Sequence, residues 1–189
     1  MIKLIHKIAD LWWCSWSNIR WRKSIRFYKD IKTEDICKHD IFSIKFVIDK
    51  LFSKYNWVAD GPDQLWDSIS PPPQNYSHYL NGELNDDCDG WSSLVNYALH
   101  YSGIECYLLS VEELLGGHCV SLFKLNDKWY VNDYLTIHKP FDNPKDAISN
   151  YNEIYVKDYK PKTRIFNNGL LKYDYEKGKF KICSISKLK

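Results

Sequence analysis

The sequence predicts an α+β domain. Three observations carry this. Two apolar patterns of helical spacing come first, several short strand-like segments follow, and the joints between those segments are short turns. The chain has 189 residues, which suits one folded unit with a small extension. Hydrophobic residues make up 44% and charged residues 26%, a balance that allows a buried core and excludes a disordered chain. Aromatic residues reach 16%, alongside abundant Lys, Asn and Ile, a bias typical of AT-rich genomes.

Residues 1–38 read as a basic, aromatic N-terminal segment that includes Trp12, Trp13, Trp16, Arg20, Trp21, Arg22, Lys23 and Arg26. We expect it to pack on or extend a core formed by residues 39–189, with tryptophans inward and basic side chains reaching round them. A membrane surface or a nucleic acid is the alternative partner for this segment. From Asp40 to Tyr55, the residues Ile41, Ile44, Val47, Ile48, Leu51 and Phe52 recur at helical spacing. Trp57 to Asp86, with Pro62, Pro71, Pro72 and Pro73, reads as a long ordered loop.

A second helix is expected from about Asp87 to Ser102. Its buried stripe is Trp91, Leu94, Val95, Ala98 and Leu99; Asp86 or Asp87 caps its start and Gly103 ends it. Ile104–Val111 reads as a strand. His118–Leu125 and Lys128–Asp133 read as a hairpin on a two-residue Asn126-Asp127 turn. From Tyr151 onward the chain reads as strand-rich, with Lys177-Gly178 as a turn.

The chemistry concentrates at Asn85-Asp86-Asp87-Cys88-Asp89-Gly90-Trp91. A cysteine at a helix start faces unpaired N–H groups and the positive end of the dipole, which stabilise a thiolate. Asp86, Asp87 and Asp89 oppose that thiolate, so a histidine that becomes imidazolium is needed beside it. His118 is the candidate base. With a two-residue turn, Leu125 pairs with Lys128, Leu122 with Val131 and Val120 with Asp133, which puts His118 diagonal to Asp133 on one face. One more residue in the turn reverses the parity. Cys88, His118 and Asp133 then make nucleophile, base and orienting carboxylate.

Asp-Asp-Cys88-Asp-Gly before a helix, Gly-Gly-His118-Cys-Val-Ser-Leu, and Lys-Trp-Tyr-Val-Asn-Asp133 together resemble the transglutaminase-like superfamily, and within it the bacterial and phage cysteine peptidases. The resemblance spans roughly Trp57 to Tyr134. It implies a papain-like core with the catalytic helix packed on an antiparallel sheet, and a Cys88–His118–Asp133 triad. It implies hydrolysis of an amide in a protein or peptide substrate, without a cofactor. Transfer to an amine acceptor, as in a transglutaminase, is the alternative; a catalytically silent binding module on the same fold is another. Gln74 is the expected oxyanion side chain, and Trp66 and Trp91 the expected substrate contacts. Two positions depart from the family pattern: Asp86 stands where a glycine is usual, and Gly90 where an acid is usual.

Other classes fit less well. A net charge of +2 is too small to imply a nucleic-acid partner for the whole chain. No stretch approaches the ~20 apolar residues of a membrane span. The six cysteines contain no C-x-x-C pair, which favours a reduced compartment, the cytoplasm of a bacterium or of an infected host cell. Asn85, Asp87, Asp89 and Gly90 match part of a calcium loop, but Asn96 falls where the bidentate Glu is needed. His118 and Cys119 point to opposite faces of one strand, so they cannot easily share zinc. No metal is expected.

Overall fold

In the computed structural model, which describes residues 2–28, 40–59, 69–113, 116–161, 167–175 and 177–188, the central hairpin forms on the turn its sequence asks for. Strand β4 (Gly116–Leu125) runs into β5 (Lys128–Asp133) through Asn126 and Asp127, whose φ values are 49° and 60°. Two left-handed residues give a turn whose twist matches that of the strands. Leu125 pairs with Lys128 and Leu122 with Val131, the register expected from the sequence.

This hairpin sits inside a six-stranded antiparallel sheet of order β6-β5-β4-β3-β7-β8. The other strands are β3 (Glu105–Glu113), β6 (Thr136–Ile137), β7 (Asn167–Asp174) and β8 (Lys179–Ile182). Helices cover both faces, so side chains of alternate parity enter two cores. Cys106, Phe123 and Leu125 pack with α4 (Cys88–Tyr101), on which α2 (Ile41–Phe52) lays Ile44, Val47, Ile48 and Leu51. Leu109, Val120, Leu122 and Val131 pack with Ala147, Ile148, Tyr151 and Tyr155 of α5 (Pro144–Tyr159). The fold is α+β, as the sequence predicts. Among the described residues, no helix is long and apolar enough to cross a membrane.

The N-terminal segment is a 27-residue helix, α1 (Ile2–Tyr28). Cys14 and Trp21 are buried against Leu171, Tyr173 and Phe180. Asn18 clasps β8 twice: its Nδ2 donates to the Phe180 carbonyl at 3.2 Å and its Oδ1 accepts from the Phe180 N–H at 2.6 Å. The boundary expected at residue 38 lies outside the described residues.

Two expectations need correction. The stretch expected to be a loop contains a helix, α3 (Pro72–Leu80), and two short strands, β1 (Tyr55–Trp57) and β2 (Leu84–Asp86), which pair in parallel. The proline run starts α3 rather than forbidding it, because the first turn of a helix has no use for the N–H that proline lacks. The strand-rich reading from Tyr151 onward fails up to Tyr159, which belongs to α5. Asn143 caps that helix by accepting from the Asp146 N–H at 2.9 Å, and Pro144 opens it. Further on, β7 and β8 meet at the expected turn, where Gly178 has φ 58°.

The hairpin turn offers a direct check. Asn126→Val places a β-branched residue at a left-handed position, which costs roughly 1–3 kcal/mol. We expect a lower urea midpoint with an unchanged slope, measured by equilibrium unfolding.

Candidate active site

Cys88 is the first residue of α4, and several groups fix the chain that delivers it. Asp87 caps the helix, its Oδ1 accepting from the Asp89 N–H at 3.1 Å. Asp86 Oδ1 accepts from the Asp87 N–H at 2.9 Å. The Tyr55 hydroxyl lies 2.8 Å from the Asp86 carbonyl and 3.0 Å from that of Asp87. From α3, Asn75 Nδ2 donates to the Gly90 carbonyl at 3.0 Å. Such caps satisfy groups that a helix end leaves open.

The two departures from the family pattern explain each other. The buried Asp86 carboxylate lies directly against the α-carbon of Gly90, and a Cβ at position 90 would fall inside that carboxylate. An acid two residues before the cysteine therefore requires a glycine two residues after it.

His118 and Asp133 meet as the parity argument requires. His118 Nε2 lies 2.8 Å from Asp133 Oδ1, and both side chains are largely buried. The β4–β5 ladder runs as far as Ser121↔Asn132, and the pair lies just past its end. There β4 continues against β3, and β5 turns into β6. Asn132 holds that turn by donating to the carbonyls of Tyr134 (2.8 Å) and Thr136 (3.1 Å). Tyr134 adopts φ 46° within it.

Helix α5 adds three tyrosines at four-residue spacing, on one face of the helix. Tyr151 donates to Asp133 Oδ2 at 2.8 Å and Tyr159 to the same oxygen at 3.1 Å. The Tyr159 hydroxyl also lies 3.3 Å from His118 Nε2, and the Tyr155 ring runs nearly parallel to the imidazole at 6.1 Å. Burial pushes the Asp133 carboxyl up, but the hydrogen bonds from His118, Tyr151 and Tyr159 outweigh it and hold it below its ordinary 3.8. Asp133 is thus an anion at neutral pH. The tyrosines escape sequence reasoning because the segment reads as strand; the Asn143-Pro144 start and the spacing of Ala147, Ile148, Tyr151 and Tyr155 were the available signal.

Cys88 is half-buried and packs beside the cluster that contains Cys119. Burial raises the Tyr134 hydroxyl pKa, and the charge of a Cys88 thiolate is the next cause. The same charge adds to burial at Tyr151, Tyr155 and Tyr159. Coulombic effects fade with distance, so Cys88 lies within electrostatic reach of the phenols around the His118–Asp133 pair. Two serines join the elements: Ser92 Oγ donates to the Cys119 carbonyl at 2.9 Å, and Ser121 Oγ donates to the Ser92 carbonyl at 3.1 Å.

The remaining candidates divide. Trp91 is corrected from substrate contact to core: it is 1% exposed, enclosed by Phe52, Tyr55 and Tyr134. Trp66 lies outside the described residues. Gln74 is half-buried on the first turn of α3, and the side chain that α3 extends to α4 is the neighbouring Asn75. His138 rests edge-on to Tyr151, and burial holds its pKa below 6.5 against the pull of Asp133 and Asp158. Asp133 gives its Oδ1 to His118 instead.

Asp86, Asp87 and Asp89 bring carboxylate oxygens within 4.8 Å of one another. Residues 88–96 are helix, not the open loop a calcium site of that pattern needs. Cys119 enters the core on the α4 side while His118 faces α5, so the two share no metal. A cavity of about 110 Å³ lies under the far half of α4, lined in part by Asn96, His100, Cys106 and Tyr175. Asn96 is roughly 12 Å along the helix from Cys88, so that cavity is separate from the His118–Asp133 pair.

No family model matches the chain, and no curated protein matches it. The transglutaminase-like reading therefore rests on the residues themselves.

Gly90→Asp is expected to destabilise the protein by about 1–3 kcal/mol or more, the usual cost of overpacking. Asp86→Gly in the same chain should recover much of that loss, as read by a double-mutant cycle in urea. A second expectation concerns acid. The folded pKa of Asp133 is depressed, so its contribution is present above the unfolded value and is lost as pH falls through the folded one. Asp133→Asn, which keeps an acceptor for His118, should flatten the decline of the unfolding midpoint below pH 3.8.

Proposed function

We propose that this protein is a cysteine acyl-transfer enzyme on a papain-like, transglutaminase-like core, acting as a peptidase or amidase. The observation that carries the reading is the 2.8 Å contact between His118 Nε2 and the ionised Asp133. A carboxylate acceptor keeps the proton on Nε2 in the neutral ring. Nδ1 is then the basic nitrogen, free to accept the thiol proton of Cys88. Asp133 orients the ring and stabilises the imidazolium. Tyr151 and Tyr159 hold the other oxygen of Asp133, which keeps Oδ1 on the histidine.

In this reading Nδ1 takes the Cys88 proton as the sulfur attacks the amide carbon. The carbonyl oxygen becomes an oxyanion, met by N–H groups at the α4 start and by Gln74. The C–N bond then breaks, and the imidazolium gives its proton to the leaving amine. A thioester remains. Water, deprotonated by Nδ1, attacks the thioester and releases the acid, and the proton returns to sulfur. An amine in place of water gives the transglutaminase reaction.

A silent binding module is favoured by one observation, the three aspartates beside Cys88, which raise the cost of a thiolate. Alkylation separates the two readings. Burial pushes the Cys183 thiol up, so it reacts slowly and serves as the internal reference. We expect iodoacetamide to modify Cys88 at least ~10-fold faster than Cys183 near neutral pH, by peptide mass spectrometry, and His118→Ala to abolish the difference. Equal rates that stay flat between about pH 5 and pH 9 would falsify the enzyme reading. With dimethylated casein and a fluorescent primary amine, incorporation that Cys88→Ala abolishes identifies a transferase. Casein cleavage without incorporation identifies a peptidase.

A further inference from the structure

Helix α1 carries two apolar faces, and only one of them is used by the domain. Cys14, Ser17, Asn18 and Trp21 face the body, where Ser17 Oγ accepts from the Ile69 N–H at 3.0 Å and Trp21 meets Tyr173 edge-on at 4.8 Å. On another side lie Leu4, Ile8, Leu11, Trp12 and Ile19, each between 45% and 62% exposed. At 3.6 residues per turn these five fall within an arc of about 100°. That width is what an amphipathic helix normally buries. Here the inward side is already taken by the stitching to β8, so the second row stays outside.

Charge decides what fits the row. Within α1 there are six Lys and Arg against one Asp, whereas the rest of the chain has twenty basic residues against twenty-three acidic. The positive excess of the whole protein therefore sits in this helix. Arg22, which is exposed, and the arginine at position 26 continue the rotation of the apolar row. An apolar stripe that runs into basic residues suits the boundary between acyl chains and anionic headgroups. A second copy of α1 fits poorly, because pairing would bring two strongly cationic helices together. No described helix can cross a bilayer, which leaves lying on its surface.

We propose that the outer face of α1 is a docking surface for an anionic lipid bilayer, holding the protein flat on the membrane through Leu4, Ile8, Leu11, Trp12 and Ile19. The helix, about 40 Å long, lies parallel to the surface. Its apolar row enters the headgroup boundary, and its basic residues meet lipid phosphates. This assignment is independent of the chemistry proposed at Cys88.

The test uses the full chain and co-sedimentation with vesicles. One set is phosphatidylcholine alone; the other contains about one-third phosphatidylglycerol. The expected result is at least ~10-fold stronger partitioning to the anionic vesicles, weakened by added salt. Ile8→Glu/Trp12→Glu should lower that partitioning at least ~10-fold while the thermal midpoint stays unchanged, because neither residue faces the domain. A milder pair, Ile8→Ser/Leu11→Ser, covers the case in which the first variant fails to fold. Equal binding to both vesicle types, or none to either, overturns the proposal. So does a dimer seen by light scattering that the same substitutions dissolve, which would assign the row to a second copy.

Discussion

Ser92 and Ser121 tie the helix that begins at Cys88 to the strand that carries His118. Each hydroxyl donates to a backbone carbonyl on the other side: Ser92 to Cys119, and Ser121 to Ser92. Both serines are buried, so neither hydroxyl can turn to water instead. A hydrogen bond of this kind contributes about 1 kcal/mol, while a buried hydroxyl left unpaired costs about 1–3 kcal/mol. The exchange therefore selects one height of α4 above β4. Because Ser92 is one turn from Cys88 and Cys119 adjoins His118, the position of the sulfur relative to the imidazole strand follows from it. The apolar cores on the two faces give most of the stability, but apolar contacts alone tolerate sliding.

The surroundings of the two ionisable partners are opposite in kind. At the start of α4, three carboxylates press against the thiol, and their tasks there are structural: Asp86 and Asp87 each accept a backbone N–H. Around His118 and Asp133 the neighbours are phenols, neutral at ordinary pH and able to donate. They keep Asp133 charged in a buried place without adding a competing cation. A negative charge on sulfur is thus disfavoured locally, and stabilisation from imidazolium becomes the larger requirement.

Much of this was legible in the sequence where local chemistry and periodicity agree. Asn126-Asp127 announces its own turn, and a two-residue turn fixes which side chains share a face, so the His118–Asp133 contact followed from counting. The start of α4 was legible for the same reason, through Asp87 and the stripe of Trp91, Leu94, Val95, Ala98 and Leu99. The rest depends on tertiary packing. Helix α3 has too polar a sequence to show a stripe. In α5 the buried positions include Tyr151 and Tyr155, aromatic residues that read equally well as strand. Ser92, Ser121 and Asn75 carry no sign in sequence that their partners will arrive from elsewhere. Trp91 looked like a groove wall because its exposure is decided by α2, thirty-nine residues earlier at Phe52.

The contact between Asp86 and Gly90 also constrains history. Two sequences, one with glycine then acid and one with acid then glycine, can each fill the same space beside the cysteine. They are not joined by every path. A side chain at position 90 is sterically forbidden while Asp86 stands, whereas loss of the Asp86 side chain leaves only a small void. Any lineage passing between the two arrangements must cross an intermediate with glycine at both places. The order of substitution is thus fixed by a collision between two residues that never touch substrate.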